Sequence, residues 1–169
     1  MACCIASAGS AANVATNVAL FPVPPEQVWA VLADPQTYGY WVVGSDTIRD
    51  ADPTWPAVGS KLHHRFGVGP LKINDNTEVL ESDPPHRLVL QARGRPLGTA
   101  RVALELAEED GGTRVTMREH PGDPISRLFH NPLLDWLVRV RNEASLKRLE
   151  ELAVAGHGAP RPGASPTTP

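Results

Sequence analysis

Cysteine is almost absent from this chain: it has two, Cys3 and Cys4, side by side near the start. Adjacent cysteines rarely pair with each other. With none deeper in the chain, the fold has no disulfide, no thiolate metal site and no cysteine nucleophile. That usage suits a reducing compartment, and a cytoplasmic location is expected. Aromatic residues make up only 5%, too few for base-stacking platforms. A basic surplus is missing too: Lys+Arg number 16 against 19 Asp+Glu, for a formal net charge of −3. Nucleic-acid binders carry the opposite balance, so no nucleic-acid partner is expected. No apolar run approaches the ~20 residues that cross a bilayer, so no membrane insertion is expected. No basic residue precedes Arg49, so the small, apolar start lacks the charged n-region of a secretory signal.

What the chain does have is ordinary globular material. Its 169 residues are 41% apolar and 21% charged, which fits one folded domain. Arg far outnumbers Lys, and Ala, Gly, Pro and Val are abundant, the bias of a GC-rich bacterial genome. Met1 to Ala12 reads as a loose N-terminus. At the other end, Gly156 to Pro169 holds three Gly and four Pro and no apolar side chain larger than Ala. Such a segment buries too little to offset its ordering entropy. The expected organisation is residues 1–12 loose, 13–153 one domain, and 154–169 a disordered tail.

Asn13 to Phe21 alternates and predicts a strand. Pro24-Pro25-Glu26 opens a helix, since proline is tolerated in a first turn. Val28, Val31 and Leu32 mark its buried face, and Asp34-Pro35 ends it. An irregular stretch with Tyr38, Tyr40 and Trp41 follows. From there to His120 the pattern is strands broken by turns. Thr47 to Asp50 is a short one. Leu62, His64 and Phe66 share the apolar face of the next, with His63 and Arg65 on the other. Leu71 to Ser82 puts Ile73, Thr77 and Val79 on one face. Leu88, Leu90 and Ala92 alternate, then Val102, Leu104 and Leu106, then Val115, Met117 and Glu119. Asp83-Pro84-Pro85, Pro96-Leu97-Gly98 and Asp110-Gly111-Gly112 supply the turns. This is an antiparallel meander with one buried and one wet face. A last helix from about Pro132 to Ala153 places Leu134, Val138, Asn142, Ser145, Leu146, Leu149 and Leu152 on one stripe. A second apolar stripe, Leu133, Trp136, Leu137, Val140 and Ala144, lies roughly opposite. It predicts cover on both sides, from Ile125, Leu128 and Phe129 or from another subunit. The fold class is α+β.

The order and spacing of several pieces carry a resemblance. They are Pro24-Pro25-Glu26, Val28-Trp29, Leu32, Asp34-Pro35, Trp41, Gly59, Asp83-Pro84-Pro85-His86-Arg87-Leu88, Gly112-Thr113-Arg114-Val115, Arg141-Asn142, Leu146 and Leu149. In this the chain resembles the START-like, or SRPBCC, superfamily of helix-grip proteins, in its branch labelled polyketide cyclase/dehydrase and lipid transport. The resemblance implies a curved seven-stranded antiparallel sheet wrapped around a long C-terminal helix, with two short helices after the first strand. It also implies an internal cavity for an apolar or amphipathic small molecule, and it does not single out one activity.

Two inward titratable groups, His64 and Glu119, are the candidates for acid–base chemistry, because burial shifts both pKa values. The alternative is a structural hydrogen-bonded pair or a polar spot that orients a ligand. The cavity lining is read as Trp41, Leu62, His64, Phe66, Ala92, Val115, Met117, Glu119, Leu134, Val138 and Asn142. Trp41 either lines the mouth or packs in the core, and Asn142 either binds ligand or satisfies loop carbonyls. Arg93, Arg95, Arg101, Arg114 and Arg118 belong to the wet face. His63 and His64 point to opposite faces of a strand, and His120 and His130 lack ligand spacing, so neither metal nor cofactor is expected. The expected function is binding of a lipid- or polyketide-like molecule by a monomer or weak homodimer, as carrier or sensor. A cyclase or dehydratase using His64 and Glu119 is the enzyme alternative. An interaction module using the outer helix stripe, with a vestigial cavity, is the third.

Overall fold

The computed structural model describes residues 15–68, 71–93, 98–122 and 132–157. Strand β1 is Ala15–Phe21 and helix α1 is Pro25–Ala33. Pro25 occupies the first helical position and Pro24 stays extended, with φ −68 and ψ 158. Asp34, placed before Pro35, leaves the helical region with ψ 109, as the clash with a following proline requires. Its carboxylate then accepts the Gln36 N–H at 2.9 Å. This starts a 3₁₀ turn, Pro35–Thr37, that runs into the one-turn helix α2, Tyr38–Trp41. The pattern alone predicts an irregular stretch here. What orders it is Thr37, whose hydroxyl donates to the Val31 carbonyl at 2.6 Å or to that of Asp34 at 2.8 Å.

Six strands follow: β2 Ser45–Ala51, β3 Lys61–Val68, β4 Leu71–Asp83, β5 Arg87–Arg93, β6 Thr99–Glu109 and β7 Gly112–Pro121. They join β1 in one antiparallel sheet of order β1-β7-β6-β5-β4-β3-β2. The expected seven-stranded sheet is present. The β6–β7 hairpin turns on Asp110 and Gly111, both in the left-handed region at φ 51 and φ 78, the conformation that two-residue hairpins select. Gly112 is needed for a different reason. A Cβ there would fall 2.2 Å from the Phe21 carbonyl oxygen, so only glycine lets β1 approach β7 at this point.

The last helix, α3, spans Pro132–Val154. Gly156, assigned to the tail by composition, in fact ends the helix. With φ 72 it brings its own N–H to the Ala153 carbonyl at 3.0 Å, and the His157 N–H to that of Leu152 at 3.1 Å. This is the Schellman arrangement. Asn142, Ser145, Leu146, Leu149 and Ala153 are buried on its inner face. Leu146, Leu149 and Ala153 join one core with Phe21, Val28, Val31, Leu32, Leu88, Leu104, Leu106 and Val115. Gln27 ties α1 to the end of α3 by donating to the Ala153 carbonyl at 2.7 Å.

On the outer face of the sheet, ion pairs link Arg87 to Glu81 and Glu105, Arg118 to Glu105, and Arg114 to Glu109. Val89 and Ala103, on the nominally wet face, are nonetheless buried. They pair with each other across β5 and β6, and Ala103 lies opposite Arg118. On the outer stripe of α3, Leu133, Trp136, Leu137 and Val140 are 45–65% exposed. The residues expected to cover it, Ile125, Leu128 and Phe129, lie outside the described residues.

The grip of α3 makes a prediction. Leu149 is fully buried at 0% exposure, so Leu149→Asp places an unpaired charge in the core and should cost more than about 4 kcal/mol. Arg148→Ala, one residue away and exposed, should stay within about 0.5 kcal/mol. Urea midpoints of the two variants against wild type check this. Equal losses would mean that the inner face of α3 is assigned wrongly.

Candidate functional site

The interior divides along α3. Toward the helix C-terminus it is dry, built from Val28, Val31, Leu104, Leu106, Leu146 and Leu149. The other end holds the buried polar residues His64, Asp75, Thr77, Glu119 and Asn142, together with the hydroxyl of Tyr38. Strand alternation puts them there. Leu62 lies opposite Thr77, and His64 opposite Asp75, across β3 and β4. Thr77 lies opposite Ala92, and Ala92 opposite Ala100. Val102 stands opposite Glu119, and Glu119 opposite Ala15. So between the polar groups of β3 and β4 and those of β7 the inner face carries small side chains. Ala92, Ala100 and Val102 are only half-buried, whereas Leu62, Leu90 and Leu104 are sealed.

Two hydrogen-bond networks flank this stretch. In the first, Thr77 Oγ1 lies 3.0 Å from His64 Nε2 and 2.9 Å from the Tyr38 hydroxyl. The Tyr38 ring packs on His64 at 5.3 Å between centroids and edge-on to Trp41 at 5.4 Å. His64 is 2% exposed, and its Nδ1 has no hydrogen-bond partner. The neighbouring Arg65 backbone and the Asp75 carboxylate opposite favour the charged form. Burial outweighs them and lowers the His64 pKa below its ordinary value. Burial pushes the Tyr38 phenol up to about 12, partly opposed by the hydrogen bond from Thr77 and the field of Arg141. Both groups are therefore neutral at neutral pH. In the second network, Glu119 Oε2 accepts from Asn142 Nδ2 at 2.9 Å and from Arg141. Arg141 also donates to Asn142 Oδ1 at 3.1 Å.

His64 and Glu119 both point inward, as alternation requires, yet they do not pair. His64 is committed to Thr77, and Glu119 to Arg141 and Asn142. Whether the two candidates meet is not given by alternation, and they stand in separate networks. Asn142 satisfies a carboxylate and a guanidinium rather than loop carbonyls. Trp41 is buried in the core cluster beside Tyr38, not at a mouth. Leu62, Val115 and Met117 are sealed core positions, and Val138 is half-buried. The side chains of Phe66 and Leu134 lie outside the described residues. Sequence reasoning missed Tyr38, Asp75 and Arg141 and undervalued Thr77. Asp75 was legible, because it shares a parity with Thr77 and Val79. Arg141 was legible in part: it sits at the edge of the inner stripe, three residues after Val138 and four before Ser145, from where its side chain reaches Glu119. Among the described residues no group of three or more His, Cys, Asp or Glu could hold a metal. An open surface cleft of about 380 Å³ lies between the 3₁₀ turn and β2, lined by residues such as Gln36, Asp50, Asp52 and Trp55. Its carboxylates serve the backbone, Asp50 accepting from the Ala51 N–H and Asp52 from that of Lys61.

The lowered pKa of His64 carries a pH prediction. The unfolded chain takes up the proton near the ordinary value of 6.5, before the folded state does. Stability is therefore full above that pH and falls as pH drops below it, with a slope of at most about 1.4 kcal/mol per pH unit from this one group. His64→Gln, which cannot titrate, should remove that slope. Urea unfolding of both proteins between pH 7.5 and 5 checks this. Parallel curves would show that His64 is protonated as easily in the fold as outside it.

Among the described residues no helix is long and apolar enough to cross a membrane. Solved structures with this fold include MLL2253 from Mesorhizobium loti, 18% identical with a TM-score of 0.64, covering 85% of this chain and 98% of that one. NE0264 from Nitrosomonas europaea is 19% identical with a TM-score of 0.65, covering 87% and 97%. DynU16 is 16% identical with a TM-score of 0.62, covering 85% of this chain and 48% of its own. Among curated proteins none matches the chain. The family described as polyketide cyclase / dehydrase and lipid transport matches residues 13–154. That span contains both polar networks, the whole sheet and all of α3, and the chain belongs to this family.

Proposed function

We propose that this protein binds an apolar or amphipathic small molecule, lipid- or polyketide-like, between the sheet and α3, as a carrier or sensor. The observation that carries the reading is that His64 Nδ1, buried without a partner, shares the inner face of the sheet with the half-buried residues Ala92, Ala100 and Val102 of β5 and β6. A buried polar atom without a partner costs about 1–3 kcal/mol. A fold tolerates such a group where a ligand completes it. An apolar lining with a few convergent polar groups is how small-molecule sites are usually built. Family membership supports the same reading, and DynU16, a neighbour in fold, comes from the dynemicin biosynthetic locus.

An acid–base enzyme is the second reading. Its support is the neutral His64 imidazole, a competent base when hydrogen-bonded to a hydroxyl. Against it, Glu119 is occupied by Arg141 and Asn142, and the hydroxyl beside His64, that of Thr77, is shared with Tyr38.

The neutral fluorescent probe N-phenyl-1-naphthylamine should bind the folded protein at about one equivalent. Ala92→Trp, which fills the half-buried position opposite Thr77, should weaken that binding by at least about tenfold. Fluorescence titration checks both. A wild type that leaves the probe unchanged at protein concentrations up to the millimolar range would overturn the ligand-binding reading.

A further inference from the structure

The His64–Thr77–Tyr38 chain has an odd proton count. A neutral imidazole, a threonine hydroxyl and a phenol bring one hydrogen each. The two links, His64–Thr77 and Thr77–Tyr38, use two of the three. The third stands at one end or the other. If the chain runs from Tyr38 through Thr77 to Nε2, the spare hydrogen is on Nδ1 beside the Arg65 backbone, and the phenol oxygen is open as an acceptor. If it runs the other way, the spare hydrogen is on the phenol, which then donates. Reversal needs only rotation of two hydroxyls and a change of imidazole tautomer. The Tyr38 end therefore accepts from a hydroxyl in one state and donates to a carbonyl in the other.

Neither end carries a charge that would receive an anion. Burial keeps His64 neutral and Tyr38 protonated. Among the described residues the cation whose field reaches Tyr38 is Arg141, and it is engaged by Glu119 and Asn142. A carboxylate placed here would be desolvated without a counter-charge, which costs far more than burying a hydrogen-bonded hydroxyl. We propose that this chain is the receptor for the ligand's polar group, and that it takes an uncharged hydroxyl or carbonyl and rejects a carboxylate. The proposal rests on the ligand-binding reading above and narrows its ligand class.

The test displaces N-phenyl-1-naphthylamine from wild-type protein at pH 8 with four molecules of matched chain: decane, 1-decanol, 2-decanone and decanoate. Decanol and decanone should compete at least as well as decane, because the chain repays the desolvation of their oxygen. Decanoate should compete at least about tenfold less well than either. Thr77→Val removes the middle link and keeps the shape. It should cost decanol and decanone about tenfold, a hydrogen bond's worth, and leave decane and the probe within about twofold. Tyr38→Phe should do the same and serves if the first variant does not fold. Decanoate competing as well as decanol overturns this proposal and leaves ligand binding standing. So does an unchanged decanol affinity in both variants. A wild type that binds neither the probe nor any of the four overturns both.

Discussion

One helix of 23 residues has to seal the inner face of a seven-stranded sheet. At ~4.8 Å between strands, seven strands span about 30 Å, roughly three helix widths. A flat sheet would leave most of that face wet. The sheet must therefore curve, and other elements must fill what α3 does not reach. Helix α1 does this at the dry end, where Val28, Val31 and Leu32 meet Leu149 and Ala153. Tyr38 and Trp41 of α2 do it toward the polar end, beside β3 and β4. The 3₁₀ turn capped by Asp34 matters because it aims Tyr38 inward.

The polar end follows from the same shortage of cover. Where apolar material does not close the space, buried polar groups have to satisfy one another. The Glu119, Arg141 and Asn142 group does so completely. It joins β7 to α3 with charges paired and hydrogen-bonded, the condition under which a buried ion pair is tolerated. The His64, Thr77 and Tyr38 group does so incompletely, with one hydrogen and one nitrogen left over. The first network is a strut that holds the helix against the sheet. The second is the one with capacity to spare, and small side chains, Ala92 and Ala100, follow Thr77 across the inner face. Thr77, a residue with no chemistry of its own, decides the character of the site by linking an imidazole on β3 to a phenol on α2.

Much of this was legible in the residues. Period-two alternation placed Leu62 and His64, Leu88 and Leu90, and Val115, Met117 and Glu119 on the inner face, because a strand has only two sides. The helical stripe through Asn142, Ser145, Leu146 and Leu149 is equally a matter of spacing. Pro25 and Asp34-Pro35 bounded α1 through the restricted φ of proline. Family likeness added the strand count, which alternation alone does not supply.

Partnership was not legible. Facing inward says that a side chain will be buried and nothing about which of several buried groups it meets, since that depends on curvature and on the angle of a packing helix. His64 and Glu119 share a face yet stand in different networks, because Thr77 intervenes on one side and Arg141 swings in from the other. The sequence by itself determined the elements, their inner faces and the polar residues that would be buried, because each follows from local periodicity and the cost of exposing apolar surface. Only the tertiary structure decided that Tyr38 completes a neutral chain with His64 and that Arg141 neutralises Glu119. Both contacts join residues far apart in the chain, and they exist only once the sheet has curved and α3 has closed on it.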